Sequence, residues 1–213
     1  MSASTPDALL FITPGCPSCP VVLQGLSDLV KQAAIGKLTV VNVAAHPELA
    51  AEYGVRAAPW LRLGPFTLTG AHTPAELRQW AVWSSGDEGI VQYIEHLLAD
   101  GGFKAAGIFI AEDTTRLKPL LAIVANPGKS LVVRSGVSAL MEAYANTTVL
   151  QSMLPSLAEF TLHTDHRVRA DACHLLGLSG SAAARSYLEI CLGDSSEEVR
   201  EIAAESLQLI ETV

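Results

Sequence analysis

Apolar positions change their period twice along this chain. A five-residue run, Ala8-Leu9-Leu10-Phe11-Ile12, is too short for a free-standing helix and predicts a strand over residues 7–13. From Cys19 the spacing turns helical. Val22, Leu26, Leu29, Val30 and Ala33 share one face, and Gly36 is the expected stop. Leu38 to Val43 is rich in β-branched residues and predicts a second strand, joined to the first by a right-handed parallel crossover. His46-Pro47-Glu48 opens a short helix that stops at Gly54. Residues 55–61 lead into a third strand, a turn at Gly64-Pro65 and a fourth strand from Phe66 to Thr69. Thr73-Pro74-Ala75-Glu76 combines an N-cap, Pro at the first helical position and Glu at the third. The helix it opens turns Leu77, Trp80 and Ala81 inward, with Trp83 near its end.

Past Ser84-Ser85-Gly86-Asp87, a small polar stretch expected to link two domains, strand signals nearly vanish. Ile90, Ile94, Leu97 and Leu98 form one helical stripe closed by Gly101-Gly102, and residues 107–110 read as helix by context. A repeat follows. Val133-Arg134, Val168-Arg169 and Val199-Arg200 each begin a similar helix, 35 and 31 residues apart. Four and eight residues after each Val stand Val137 and Met141, Ala172 and Leu176, Ala203 and Leu207. Asp165 and Asp194 precede the second and third copies. Expected helix pairs are 116–125 with 130–145, 148–162 with 166–177, and 181–192 with 196–211. Each pair leaves an apolar face that its neighbour covers, which makes a small solenoid; an irregular helical bundle is the alternative. The repeated Arg is expected to bond the Asp or carbonyls of its own preceding turn.

Composition narrows the function. The chain has 213 residues, 49% hydrophobic and 17% charged, enough for two modest domains with real cores. Residues 1–86 are neutral, and residues 87–213 carry the whole net charge of −8. An acidic second half argues against nucleic acid and anionic membrane as partners. Met1 to Asp7 holds no basic residue and no segment approaches spanning length, so neither a signal peptide nor a membrane helix is expected. Four cysteines do not make a disulfide scaffold, and a cytoplasmic setting fits best.

The chemistry concentrates in Gly15-Cys16-Pro17-Ser18-Cys19-Pro20, where a strand hands over to a helix. Near a helix N-terminus, unpaired N–H groups and the positive dipole end stabilise a thiolate, so Cys16 is the expected nucleophile. Cys19 is placed to resolve the mixed disulfide that Cys16 forms. Pro17 fits the first helical position, and Pro20 is then the costlier proline. Two other uses of the pair compete. Zinc wants about four ligands and no second C-x-x-C exists. Inert core thiols suit a Pro- and Gly-flanked turn poorly. His163, His166 and His174 read as surface histidines, so no metal is expected. Cys173 and Cys191 read as buried small side chains, and Trp80 and Trp83 as core.

A βαβαββα order with C-x-x-C after the first strand and V-x-x-x-P (Val55 to Pro59) before the third resembles the thioredoxin superfamily. The resemblance covers residues 7 to about 84. It implies that Pro59 is cis and lies beside Cys16, that the Ala58 backbone pairs with an extended substrate segment, and that Pro17 and Ser18 border the same groove. Cys16-Pro17-Ser18-Cys19-Pro20 is most similar to the Cys-Pro-x-Cys-Pro versions, found in glutaredoxin-like protein disulfide oxidoreductases and in the N-terminal domain of the flavoprotein that reduces peroxiredoxin. The buried Asp of typical thioredoxins aligns with apolar Leu10. The Gly-Gly and Asp of glutathione-binding glutaredoxins are replaced around Gly70-Ala71-His72-Thr73, which argues against glutathione and for a protein disulfide as substrate. The D-x-x-V-R-x-x-A pattern resembles short bacterial HEAT repeats.

The expected architecture is thus an α/β thioredoxin-like domain at 1–85 and an all-α HEAT-like solenoid at 86–213. The expected function is thiol-disulfide exchange with a partner protein through Cys16 and Cys19, without a cofactor, the solenoid docking the partner. The competing expectation is a redox-inactive interaction scaffold.

Overall fold

A computed structural model describes residues 5–211; Met1 to Ser4, part of the segment expected to lack a leader, and the last two residues lie outside the described residues. The chain divides into two compact units, Met1–Ile90 and Val91–Val213.

The first unit runs β1 (Ala8–Ile12), α1 (Cys19–Lys31), β2 (Leu38–Asn42), α2 (Pro47–Glu52), β3 (Trp60–Leu63), β4 (Phe66–Thr69) and α3 (Pro74–Trp83). The four strands form one sheet in the order β2-β1-β3-β4, with β1 parallel to β2 and β3 antiparallel to both β1 and β4. Strand alternation sorts the side chains into two cores. Ala8, Leu10, Leu61, Leu63, Phe66 and Leu68 share one face and are buried. The apolar stripes of α1 (Val22, Leu26, Leu29) and α3 (Leu77, Trp80) complete the buried set. On the other face Phe11 packs with Val41, Ala50 and Trp60. Phe11 and Trp60 are register partners with ring centroids 5.4 Å apart, and Tyr53 closes an aromatic triangle at 5.6 and 5.9 Å.

Two helix ends differ from expectation. α1 stops at Lys31, short of Gly36. Ala33 takes the left-handed conformation at φ 55°, its N–H donates to Val30 O, and Ala34 N–H donates to Leu29 O. This is a two-bond C-terminal motif built on alanine. Pro17 lies outside α1, since Ser18 is the N-cap and Cys19 the first helical residue. Pro20 is the proline at the helix start, and there its missing N–H breaks no intrahelical bond. The capping box of α3 forms as expected. Thr73 Oγ1 accepts from Glu76 N–H at 3.3 Å, and Glu76 Oε2 accepts from Thr73 N–H at 2.7 Å.

The second unit holds helices and no strand among the described residues. α4 (Asp87–Ala99) supplies buried Tyr93, Ile94 and Leu98, and α5 (Phe103–Glu112) supplies Ala106, Phe109 and Ile110. Three helix pairs follow, and in each the first member is broken. A 3₁₀ segment, Thr114–Leu120, leads into α6 (Leu121–Val124) before α7 (Leu131–Glu142). α8 (Thr148–Gln151) and α9 (Leu154–Phe160) precede α10 (His166–Leu178). A 3₁₀ turn, Ala182–Ala184, leads into α11 (Arg185–Cys191) before α12 (Glu197–Glu211). Two of the breaks have a plain cause. Pro119 and Pro155 have no N–H for the carbonyl four residues back, so the expected continuous helices split there. Val133, Val168 and Val199 are all buried, as are Val137, Met141, Ala172, Leu176 and Ala203, whereas Leu207 is half-buried.

Candidate active site

The short loop after β1 delivers both cysteines to one end of the sheet. Cys16 N–H donates to Thr13 O at 3.3 Å, closing the turn, and Gly15 takes the left-handed region at φ 78°. Cys16 and Cys19 are joined as a disulfide with Cα atoms 5.5 Å apart. They differ in surroundings. Cys19 is buried at 5% exposure on the inner side of α1, while Cys16 is half-buried between exposed Gly15 and exposed Pro17. Ser18 makes no side-chain cap. Instead, the first N–H of the helix, that of Cys19, donates to Cys16 Sγ at 3.1 Å. A backbone donor aimed at a sulfur favours its thiolate form once the disulfide is reduced.

Pro59 reaches the same end of the sheet by strand pairing. β3 runs antiparallel to β1 with Trp60 opposite Phe11, so the residues preceding Trp60 enter where β1 leaves. The Ala58–Pro59 peptide is cis. Ala58 is half-buried and Pro59 buried. The Pro59 carbonyl accepts from Gly70 N–H at 2.9 Å, which fastens this segment to the end of β4. Leu10 is fully buried between register partners Val40 and Leu61, so the strand position that bears an acid in typical thioredoxins is apolar here.

The second unit holds a different kind of surface. A cleft of about 420 Å³ is lined by Leu131, Arg134 and Glu142 of α7, Arg167 and Asp171 of α10, and Glu198 of α12. It crosses the second helices of three successive repeats and mixes both signs of charge. Leu131 is 79% exposed at its rim. Sequence reasoning missed it because its lining depends on how the repeats stack.

The repeated arginines do more than was expected of them. Arg200 Nη1 donates to the carbonyl of Asp194 at 2.8 Å, within its own turn. Arg169 likewise donates to the carbonyls of His163 and Thr164, but its fork also reaches forward to the Asp194 carboxylate of the next repeat. The Arg134 side chain reaches forward, to the Arg167 carbonyl and the Asp171 carboxylate. Asp165, expected to serve the Arg of its copy, instead accepts from Arg167 through N–H, Nε and Nη2. The three histidines take separate neighbours: His163 Nδ1 accepts from Asp165 N–H, His166 faces Glu198, and His174 faces Glu142. Among the described residues no three His, Cys, Asp or Glu side chains gather as metal ligands, and no helix is long and apolar enough to cross a membrane.

Comparison with known proteins agrees with both halves. Residues 9–81 match the family model of the thioredoxin domain, and residues 117–208 match that of HEAT repeats. No curated protein matches the chain. The chain therefore carries a thioredoxin domain followed by HEAT repeats.

Proposed function

We propose that this protein is a thiol-disulfide oxidoreductase acting on a disulfide of a partner protein. The observation that carries this reading is the asymmetry of the pair: Cys16 is half-buried and its sulfur accepts the first N–H of α1, and a buried Cys19 lies one turn along. In the reduced state the Cys16 thiolate attacks one sulfur of the partner disulfide, and the other sulfur leaves as a thiolate and takes up a proton. The Cys19 thiol then loses its proton and attacks Cys16 Sγ, releasing the partner as a dithiol. The partner gains two electrons and two protons, and the chain ends as the Cys16–Cys19 disulfide. Pro17 and Ser18 border the attack site, and Ala58 with cis-Pro59 supplies backbone for an extended substrate segment, the role implied by the thioredoxin resemblance. The proposed setting is the cytoplasm, with a protein rather than glutathione, nucleic acid or membrane as partner.

The HEAT repeats are proposed to dock that partner and so to raise the local concentration of one disulfide over others. The cleft between Leu131 and Glu198 supports this, because it offers both charge signs and an exposed apolar rim on a repeat surface. An insulin-reduction assay with dithiothreitol tests the chemistry. The intact chain accelerates precipitation and Cys16→Ser does not. Equal rates for the two would return the chain to the scaffold reading.

A further inference from the structure

The two cysteines outside the Cys16–Cys19 pair lie against each other. Cys173 is on α10 and Cys191 closes α11, with exposures of 0% and 3%. Arg169 precedes Cys173 by one helical turn, and residues four apart share a helix face. Asp194 follows Cys191 in a tight turn, its N–H donating to the Cys191 carbonyl at 3.1 Å. The two-bond Arg169–Asp194 pair, at 2.7 and 2.8 Å, pins these stretches together. The two buried thiols lie beneath it on these pinned stretches, near enough to shift each other's ionisation. Their interaction holds the proton on Cys173, with burial acting in the same direction, and shifts Cys191 toward the thiolate. The Arg169 guanidinium favours the charged form of both sulfurs, and the Asp194 carboxylate opposes it.

The geometry points to a second redox site: Cys173 and Cys191 form a reversible disulfide that ties the second HEAT repeat to the third. The oxidant is a low-molecular-weight disulfide of the glutathione class. The Cys191 thiolate attacks one of its sulfurs and expels one thiol. Cys173 then gives up its proton and attacks Cys191 Sγ, expelling the second thiol. The cysteine pair loses two electrons and two protons, and the incoming disulfide gains both. Entry requires local opening. α11 is the element suited to it, a seven-residue helix whose Tyr187 and Ile190 are 39% and 69% exposed. Closed, the bond shortens the free chain between positions 173 and 191 and stabilises the repeats mainly by limiting their unfolded state.

The test uses the full chain in glutathione buffers of graded potential, approached from both the reduced and the oxidised side. Incubation at the onset of thermal unfolding keeps burial from blocking exchange. Acid quench, alkylation and non-reducing peptide mapping then read every cysteine, with Cys16–Cys19 as internal control. A peptide linking Cys173 to Cys191 appears in oxidising buffers and is lost in dithiothreitol. In a Cys16→Ala/Cys19→Ala background, which removes the contribution of the first pair, the oxidised chain unfolds roughly 5–10 °C higher than the reduced one, and Cys191→Ala abolishes that redox-dependent shift. Three results overturn the site: both thiols recovered free while Cys16–Cys19 of the unaltered chain is fully oxidised, only mixed disulfides with glutathione at either position, or a redox-dependent shift that survives Cys191→Ala in the background lacking Cys16 and Cys19.

Discussion

Arg169 on α10 holds Asp194, at the head of the next repeat, through two parallel charge-assisted bonds of 2.7 and 2.8 Å. Both side chains are nearly buried, 13% and 11% exposed. The same guanidinium satisfies two carbonyls of its own turn. One side chain thus closes a repeat turn and staples it to the following copy.

Removing that staple is expensive, because an unpaired buried carboxylate remains. Arg169→Ala is expected to lower stability by about 3 kcal/mol, measured by urea unfolding followed through the helical signal. Arg134→Ala is expected to cost less, since its partner Asp171 is 39% exposed and water can replace the lost bond.

The pair also sets an acid limit. Hydrogen bonds from Arg169 hold the Asp194 carboxyl down at about 2, below the unfolded value of about 3.9. A depressed acid stabilises the folded state fully above its unfolded value and loses that contribution as pH falls through the folded one. The contribution, about 2 kcal/mol, is present at neutral pH and fades between about pH 4 and pH 2. Unfolding of the intact chain and Asp194→Asn across that range should show a gap that closes on acidification. A constant gap would place the stabilisation elsewhere.

Gly177 and Ser206 mark the close crossing of α10 and α12. A Cβ on Gly177 would stand 2.6 Å from Ser206 Cβ and 2.9 Å from its Cα. Alanine improves helix propensity by about 1 kcal/mol, but overpacking costs about 1–3 kcal/mol, and the neighbour here is backbone. Gly177→Ala should therefore destabilise, by about 1–2 kcal/mol in the same unfolding experiment.

Much of the repeat was legible in the sequence because burial recurs at fixed spacing. Val133, Val137 and Met141 announce one inward stripe, and the copies at 168 and 199 repeat its start. The destinations of the arginines were not legible. Val-Arg looks the same in each copy, yet Arg134 reaches Asp171 while Arg200 stays within its turn, because a third dimension decides which acid lies within reach. The alanine end of α1 was hidden for a related reason. Two carbonyl bonds and the burial of Ile35 offset a left-handed Ala33, which local propensity disfavours. At the candidate site, the approach of Cys16 and Pro59 to one end of the sheet is a consequence of strand order. The Cys19 N–H aimed at Cys16 Sγ is a detail of the turn that residue types alone do not specify.

The exposure difference within the pair gives a chemical prediction. After reduction, iodoacetamide should modify Cys16 first, with a pH midpoint below the free-thiol value of about 8.5, because its sulfur faces the first N–H of the helix. Mass spectrometry of peptides quenched at early times reads it. Equal rates at both cysteines would remove the assignment of roles.

The most direct measurement is of the covalent intermediate. Cys19→Ser leaves Cys16 able to attack and removes the thiol that would release the product, so a mixed disulfide between Cys16 and a partner protein should accumulate. Non-reducing electrophoresis of the purified variant with a disulfide-bearing protein reads the adduct as a band that dithiothreitol dissolves and peptide mapping locates at Cys16. Cys16→Ser should give no such band. An adduct absent from Cys19→Ser, or present equally in Cys16→Ser, would contradict the claim that this pair exchanges disulfides with proteins.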